Sequence, residues 1–194
     1  MPQRSVTITI PQRPLHYVKR LERRRTEDIN LVVIHCTELP DMAMARIWGE
    51  KELHPESKTG NCGHFYIDRD GSIEQWVPVA RVAHHVRGFN PQSIGIELVN
   101  NGRYPDWFLT GHQQMSEPYP DLQIGALATL LNDLQAELPA LERVTGHEDL
   151  DTAMIPAEDK PDTMIRRKLD PGPLFPWSGV MKQISLHRLM AEDL

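Results

Sequence analysis

One short apolar run, Leu31-Val32-Val33-Ile34, leads directly into His35 and constrains the fold more than any other segment. The run is rich in β-branched residues, is not interrupted by polar residues and is short for a helix. These properties are typical of a strand buried in the centre of a sheet. The run therefore predicts the central strand of a domain, with a histidine at its end.

Further strand and helix patterns follow this run. Residues 64–68 and 73–77 flank an Asp-Gly pair, which predicts a β-hairpin because glycine accepts the positive φ of the turn. Residues 94–99 predict another strand. Residues 41–53 predict a helix, and residues 121–138 predict a longer one because their apolar side chains recur every three or four positions. Strands interleaved with helices predict an α/β fold, with a mixed central β-sheet flanked by helices.

The N-terminal region differs in character from this alternating region. Residues 1–27 predict an N-terminal extension, and residues 28–194 predict a single domain. The extension opens with an alternating apolar piece at residues 6–10 and closes with a basic stretch at residues 19–25. A solvated helix face is the favoured interpretation of the basic stretch, with a polyanion site as the alternative.

Composition and charge argue against several classes of partner. The net charge of −6 disfavours a nucleic-acid surface, which is usually basic. No stretch approaches the roughly 20 apolar residues that span a bilayer, so no membrane partner is expected. The N-terminus lacks the apolar run of a signal peptide, and the two cysteines do not suggest a secreted, disulfide-rich scaffold. The cytoplasm is therefore the expected compartment.

Two histidines and one carboxylate are candidates for a metal site. His35 ends the predicted central strand, His147 follows a glycine, and Asp170 lies in a segment that contains two prolines. Two His and one Asp leave the fourth position of a zinc tetrahedron open for water, as hydrolytic zinc sites require. Because the three residues are far apart in sequence, spacing alone also leaves open ordinary surface and core histidines.

Five segments together resemble a known family. In order along the chain they are Leu31-Val32-Val33-Ile34-His35, His64-Phe65-Tyr66-Ile67-Asp68-Arg69-Asp70-Gly71, Ile94-Gly95-Ile96-Glu97-Leu98, Gly146-His147-Glu148-Asp149 and Lys168-Leu169-Asp170-Pro171-Gly172-Pro173. This series resembles the zinc-dependent N-acetylmuramoyl-L-alanine amidases, which include T7-type lysozyme, the bacterial amidases that recycle anhydro-muropeptides and the peptidoglycan recognition proteins. The resemblance extends over about residues 30–177.

The resemblance implies a role for each matching residue. His35, His147 and Asp170 would bind Zn²⁺. Glu97 would take the proton of the attacking water and return it to the leaving amine. Lys168 would stabilise the oxyanion of the tetrahedral intermediate.

Three further residues are candidates for substrate binding. His85 matches a family position at the wall of the cleft, where substrate contact and structural hydrogen bonding are equally open. His64 is expected beside the metal strand, supporting the site or the core rather than binding metal. Trp107 is the aromatic residue most suited to line the substrate groove, although core packing is the usual role of such rings. Cys36 and Cys62 are expected to be free thiols.

Two departures from the family pattern affect the expected mechanism. Gly63 stands where phage-type members commonly carry a tyrosine before the histidine that matches His64, which leaves the proton transfer to Glu97, as in the recycling branch. The second departure is the spacing of 23 positions from His147 to Asp170, which is longer than in compact members of the family. The sequence predicts a long polar loop from His147 through Lys168 and a short terminal helix near residues 180–190. The insert at residues 151–167 is interpreted as a decorated loop, with a substrate lid as the alternative.

The predicted function is hydrolysis of the amide bond between N-acetylmuramic acid and L-alanine in peptidoglycan or its muropeptide fragments. One alternative is the same chemistry in a phage-type endolysin or a delivered antibacterial toxin. The other is a peptidoglycan-binding protein without catalysis, although such relatives typically lack a zinc ligand. The sequence leaves the oligomeric state open.

Overall fold

A computed structural model describes residues 10–193 of the chain and has a six-stranded sheet at its centre. The strands are β1 (Leu31–Cys36), β2 (Phe65–Ile67), β3 (Ile73–Gln75), β4 (Ser93–Leu98), β5 (Arg143–Gly146), β6 (Met154–Pro156), β7 (Met164–Arg166) and β8 (His187–Arg188). The helices are α1 (Met42–Gly49), α2 (Asp121–Glu137), α3 (His147–Leu150) and α4 (Trp177–Met181). The order in the sheet is β3-β2-β4-β1-β5-β8, and β6 and β7 form a separate hairpin.

The apolar run that begins at Leu31 is the central strand, as predicted. β1 pairs in parallel with β4 on one side and with β5 on the other. β2 is parallel to β4, whereas β2 and β3 form the predicted antiparallel hairpin. The sheet is therefore mixed, and the prediction of an α/β fold with a mixed central sheet is confirmed.

The two faces of β1 serve different purposes because successive side chains of a strand point to opposite faces. Val32 and Ile34 are fully buried in the main core, together with Leu127 and Leu131 of α2. The alternate residues of β1, including Val33 and His35, face the other side of the sheet. That side carries the candidate site.

The N-terminal region packs onto the domain over the part that the structure describes. Leu15, Tyr17 and Leu21 are buried in a second apolar cluster with Trp76. Within the basic stretch, the predicted solvated helix face is wrong for Arg24, whose guanidinium donates to backbone carbonyls of residues 79, 90 and 93. The alternating piece at residues 6–10 lies outside the described residues except for Ile10.

The region after His147 is more ordered than the sequence predicts. His147 is the first residue of the short helix α3, and the predicted polar loop contains the β6–β7 hairpin. The terminal helix is α4, which ends at Met181, so the prediction of a helix near residues 180–190 is wrong for most of its length. Within residues 10–193, no helix has the length and apolar character needed to cross a membrane.

Candidate active site

Three neighbouring parallel strands bring the candidate residues together at one edge of the sheet. His35 of β1 lies directly opposite Glu97 of β4 in the strand register. On the other side of β1, Gly146 of β5 lies opposite Ile34. The next residue, His147, therefore lies next to His35. Ligands of open α/β sheets bind outside the carboxyl ends of the strands, and these residues lie at such ends.

His35, His147 and Asp170 converge on one point. Oδ2 of Asp170 lies 3.0 Å from Nδ1 of His35 and 3.1 Å from Nδ1 of His147. All three side chains are buried, and their candidate ligand atoms lie within 4.8 Å of one another. Zinc bonds of about 2.0–2.1 Å in a tetrahedron place ligand atoms roughly 3.3 Å apart, close to these separations. The three residues therefore fit a zinc ion.

The polar atoms around this point also have the chemistry of a metal site. Oδ1 of Asp170 is buried and has no hydrogen-bond partner among residues 10–193. Burial disfavours the charge of Asp170, but His147 and Lys168 outweigh it and hold the pKa of Asp170 well below its ordinary value. Burial also lowers the pKa of His35 to about 4. An ionised carboxylate beside a neutral imidazole is the protonation state that metal binding requires.

A chain of hydrogen bonds determines the tautomer of His35. The Ser93 hydroxyl donates to the Phe89 carbonyl at 2.7 Å, so Oγ accepts from Nε2 of His85 at 3.2 Å. Nδ1 of His85 then accepts from Nε2 of His35 at 3.0 Å. Because Nε2 of His35 carries the proton, the lone pair of its Nδ1 is free to bind a metal. His85 therefore makes structural hydrogen bonds, and a contact between this half-buried residue and substrate stays a prediction.

The charges of Glu97 and Lys168 are coupled to those of the residues at this point. Burial and the nearby Asp170 raise the pKa of Glu97 to about 8, and Lys168 opposes this shift. Lys168 also contributes to the lowered pKa values of Asp170 and His35. Its positive charge therefore influences the pKa values of both carboxylates and of the histidine, and the role of Lys168 in the reaction stays a prediction.

His64 and Trp107 occupy different positions relative to this point. His64 is fully buried: its Nδ1 accepts from the Gly95 N–H, and its Nε2 lies 2.8 Å from the Arg24 guanidinium and 3.0 Å from the Arg81 carbonyl oxygen. Its ring therefore supports the scaffold. A direct contact between His64 and substrate stays a prediction, because both ring nitrogens already have partners within the protein. Trp107 is half-buried, and its Nε1 donates to the Glu38 carbonyl at 3.0 Å, just beyond the end of β1.

Two glycines shape the site, and only one of them was singled out from the sequence. A Cβ at Gly63 would lie 2.7 Å from Cγ of Glu97, so the missing side chain leaves room for the catalytic candidate. A Cβ at Gly95 would lie 2.6 Å from the ring of His85. A glycine inside a buried strand often marks a close approach of another group, and this signal could have identified Gly95.

Comparisons with known proteins agree with this geometry. A family model described as N-acetylmuramoyl-L-alanine amidase matches residues 25–173. The chain is 31% identical over 180 residues to the 1,6-anhydro-N-acetylmuramyl-L-alanine amidase AmpD of Enterobacter cloacae, covering 80% of this chain and 81% of that protein.

Two solved structures share the fold. The endolysin amidase LysCS from Clostridium intestinale URNW has a TM-score of 0.65 and 20% identity, covering 92% of this chain and 97% of that one. Escherichia coli AmiD, in complex with its substrate anhydro-N-acetylmuramic acid-L-Ala-D-γ-Glu-L-Lys, has a TM-score of 0.60 and 24% identity, covering 93% and 61%. The structural likeness shows the fold, and the family model shows the relationship. The chain belongs to the N-acetylmuramoyl-L-alanine amidase family.

Proposed function

We propose that this amidase holds a zinc ion at His35, His147 and Asp170 and uses it to cleave the bond between N-acetylmuramic acid and L-alanine in soluble anhydro-muropeptides. The observation that carries the zinc proposal is the convergence of two Nδ1 atoms on one oxygen of Asp170, 3.0 and 3.1 Å away. The unpartnered Oδ1 of the same carboxylate supports it.

Proton transfer falls to Glu97 in this proposal. When bound, zinc polarises the scissile carbonyl and acidifies a water molecule beside it. Glu97 lies opposite His35 in the strand register, and its pKa is raised to about 8 by burial and by Asp170. A carboxyl group that titrates near neutral pH can take a proton from the water and return it to the leaving amine.

Lys168 stabilises the negative charge that develops on the carbonyl oxygen. Its ammonium lies close enough to lower the pKa values of Asp170 and His35. The charge on the substrate oxygen is small in the bound substrate and large in the tetrahedral intermediate. A fixed positive charge there therefore lowers the barrier more than it tightens substrate binding.

The choice of soluble fragments rests on two observations. The name of the Enterobacter relative specifies a 1,6-anhydro-N-acetylmuramyl substrate, and the AmiD structure holds an anhydro-muropeptide. The net charge of −6 also disfavours prolonged contact with an anionic wall, for which basic charge is usually useful. We therefore place the enzyme in the cytoplasm, acting on muropeptide fragments.

Mass spectrometry of reaction products tests this substrate assignment. The purified protein is incubated with whole sacculi and, separately, with an anhydro-muropeptide at matched concentrations of peptide stem. We expect the free peptide and the anhydro-sugar from the soluble substrate, with much slower release from sacculi. Glu97→Ala serves as the inactive control. Faster release from sacculi would instead support an endolysin or toxin, and no release from either would contradict the proposed activity.

A further inference from the structure

Arg103 is a buried arginine whose five N–H donors all have partners. Only 1% of its side chain is exposed. Its Nε and one terminal nitrogen donate to the two carboxylate oxygens of Glu38, at 2.7 and 3.0 Å. The remaining contacts are with Oε1 of Gln113 at 3.2 Å and with the carbonyls of Arg166 and Arg167, both at 3.1 Å. An arginine in this arrangement is a fixed cross-link between chain segments.

The two carbonyls place this cross-link next to the active site. Arg166 ends β7, and Arg167 immediately precedes Lys168. Asp170 follows two residues later. Arg103 therefore holds the backbone that leads directly into the oxyanion-stabilising lysine and the carboxylate metal ligand.

The other end of the cross-link is close to the metal strand. Glu38 follows β1 by two residues, and its backbone adopts a φ of 50°, in the left-handed region. A Cβ at Gly102 would lie 2.6 Å from Cγ of Glu38, so the glycine before Arg103 lets the carboxylate approach. The pair thus ties the end of the strand that carries His35 to the segment that carries Asp170.

We propose that Arg103 is a positioning residue for the reaction. By joining Glu38 to the carbonyls of residues 166 and 167, it fixes Lys168 and Asp170 relative to the histidines. This inference rests on the roles proposed above for Lys168 and Asp170. Lysine at this position would keep the charge but lose the planar fork and two of the five donors. Displacement of a catalytic group by about 1 Å can lower turnover on the order of 10²-fold.

Arg103→Lys is the test variant, and Arg46→Lys is the matched control. Arg46 also donates to two backbone carbonyls, those of Arg13 and Pro14, and pairs with Glu50. It joins the N-terminal segment to α1 and does not contact residues 166–170. The same chemical change is therefore made in a cross-link elsewhere in the fold, where the arginine is 31% exposed rather than 1%.

The first readouts do not depend on activity. In the zinc-free protein, hydrogen exchange should accelerate in peptides covering residues 163–169 in Arg103→Lys and remain unchanged there in Arg46→Lys. Competition with a chelator should show at least about a tenfold weaker zinc affinity for Arg103→Lys alone, the lower end of the effect of losing a partner that orients a ligand.

Steady-state kinetics then separate positioning from general stability. Arg103→Lys should lower kcat about tenfold or more and change KM less than twofold. In a Lys168→Ala background, with zinc saturating, the same substitution should lower kcat by a clearly smaller factor, because only its effect on Asp170 remains. An equal loss of kcat in both backgrounds, or behaviour identical to Arg46→Lys in every readout, would overturn the inference.

Glu38→Gln provides a second route if Arg103→Lys does not fold. It preserves the shape of the side chain and weakens the far end of the cross-link without changing residues 166–168. Glu38→Gln should lower kcat less than Arg103→Lys does, and its effect should again be smaller in the Lys168→Ala background. Equal losses of kcat in the two backgrounds would overturn the inference. Failure of the proposed function is distinguishable, because the wild-type protein itself would then lack zinc or amidase activity.

Discussion

At the scale of single residues, the proposed role of Lys168 depends on where its charge is held. Its charge opposes the raised pKa of Glu97 and contributes to the lowered pKa values of Asp170 and His35. A surface lysine that only attracted an anionic substrate would act through long-range electrostatics, and salt would screen it. A lysine fixed beside the reacting carbonyl would act mainly in the transition state.

Lys168→Ala should therefore lower kcat by the equivalent of about 2.7–4 kcal/mol, the usual cost of removing one oxyanion donor, with little change in KM. Kinetics at two salt concentrations provide the measurement. Lys160→Ala, at an exposed position in the insert, is the control and should leave both constants unchanged. A Lys168 variant altered only in KM, and only at low salt, would assign the lysine to substrate attraction.

Gly63 shows how an absent side chain can be part of a site. Its place is partly filled by Glu97, whose Cγ would lie 2.7 Å from an added Cβ. The backbone carbonyl of Gly95, 3.1 Å away, prevents the methyl group from moving freely in the other direction. A larger residue at position 63 must therefore displace the side chain of Glu97.

Gly63→Ala should retain zinc but reduce kcat by about tenfold or more, approaching the loss caused by Glu97→Ala. Gly125→Ala is the control, because nothing lies within 4 Å of an added Cβ at that position of α2. Turnover and metal content are measured for the three variants. Normal turnover in Gly63→Ala would mean that the position of Glu97 is not critical to the reaction.

Residues with distinctive chemistry could be predicted from the sequence, whereas residues that act through burial could not. His35, His147 and Asp170 could be selected because two imidazoles and a carboxylate are a typical zinc set, and the family resemblance reduced the number of alternatives. Arg24 and Arg103 could not be selected, because their backbone carbonyl partners lie far away in the sequence and have no signature in it.

At the scale of elements, the active site depends on the packing of α2 against the sheet. Leu127 and Leu131 are fully buried on the face opposite His35. Gln123, also buried, donates from Nε2 to the carbonyls of Ile67 and Val99, at 2.9 and 3.0 Å.

Helix α2 was predictable from the sequence because its apolar spacing is regular over almost five turns. The β6–β7 hairpin was not, because its strands are short and its stability depends on contacts such as that between Arg103 and Arg166.

Leu127→Ala should lower the free energy of unfolding by about 2–5 kcal/mol, because it leaves a cavity in a closely packed core. Urea denaturation measures the change, with Leu122→Ala as the control. Leu122 lies on the same helix but is 68% exposed, so its substitution should alter stability by no more than about 0.5 kcal/mol. Equal effects of the two substitutions would contradict the assignment of the buried face of α2.

At the scale of the whole molecule, the sheet brings together candidate metal ligands that are distant in sequence. His35 lies in β1 and His147 directly follows the neighbouring parallel strand β5. After the hairpin insert, Asp170 contacts both histidines. The order of the strands could be expected from the family resemblance but not from hydrophobic periodicity, which predicts elements and not their neighbours. The N-terminal segment illustrates the same limit, because Leu15 and Tyr17 are buried by contacts that no local pattern predicts.

Zinc dependence is the most direct test of the central claim, that His35, His147 and Asp170 form a catalytic zinc site. Metal content and hydrolysis of an anhydro-muropeptide are measured for the purified protein, after chelation and after addition of zinc, with Asp170→Ala treated in parallel. We predict about one zinc per wild-type chain, loss of hydrolysis on chelation and recovery with one equivalent of zinc, while Asp170→Ala neither retains zinc nor recovers. A wild-type protein that contains no metal and hydrolyses the substrate equally well in chelator would contradict the claim.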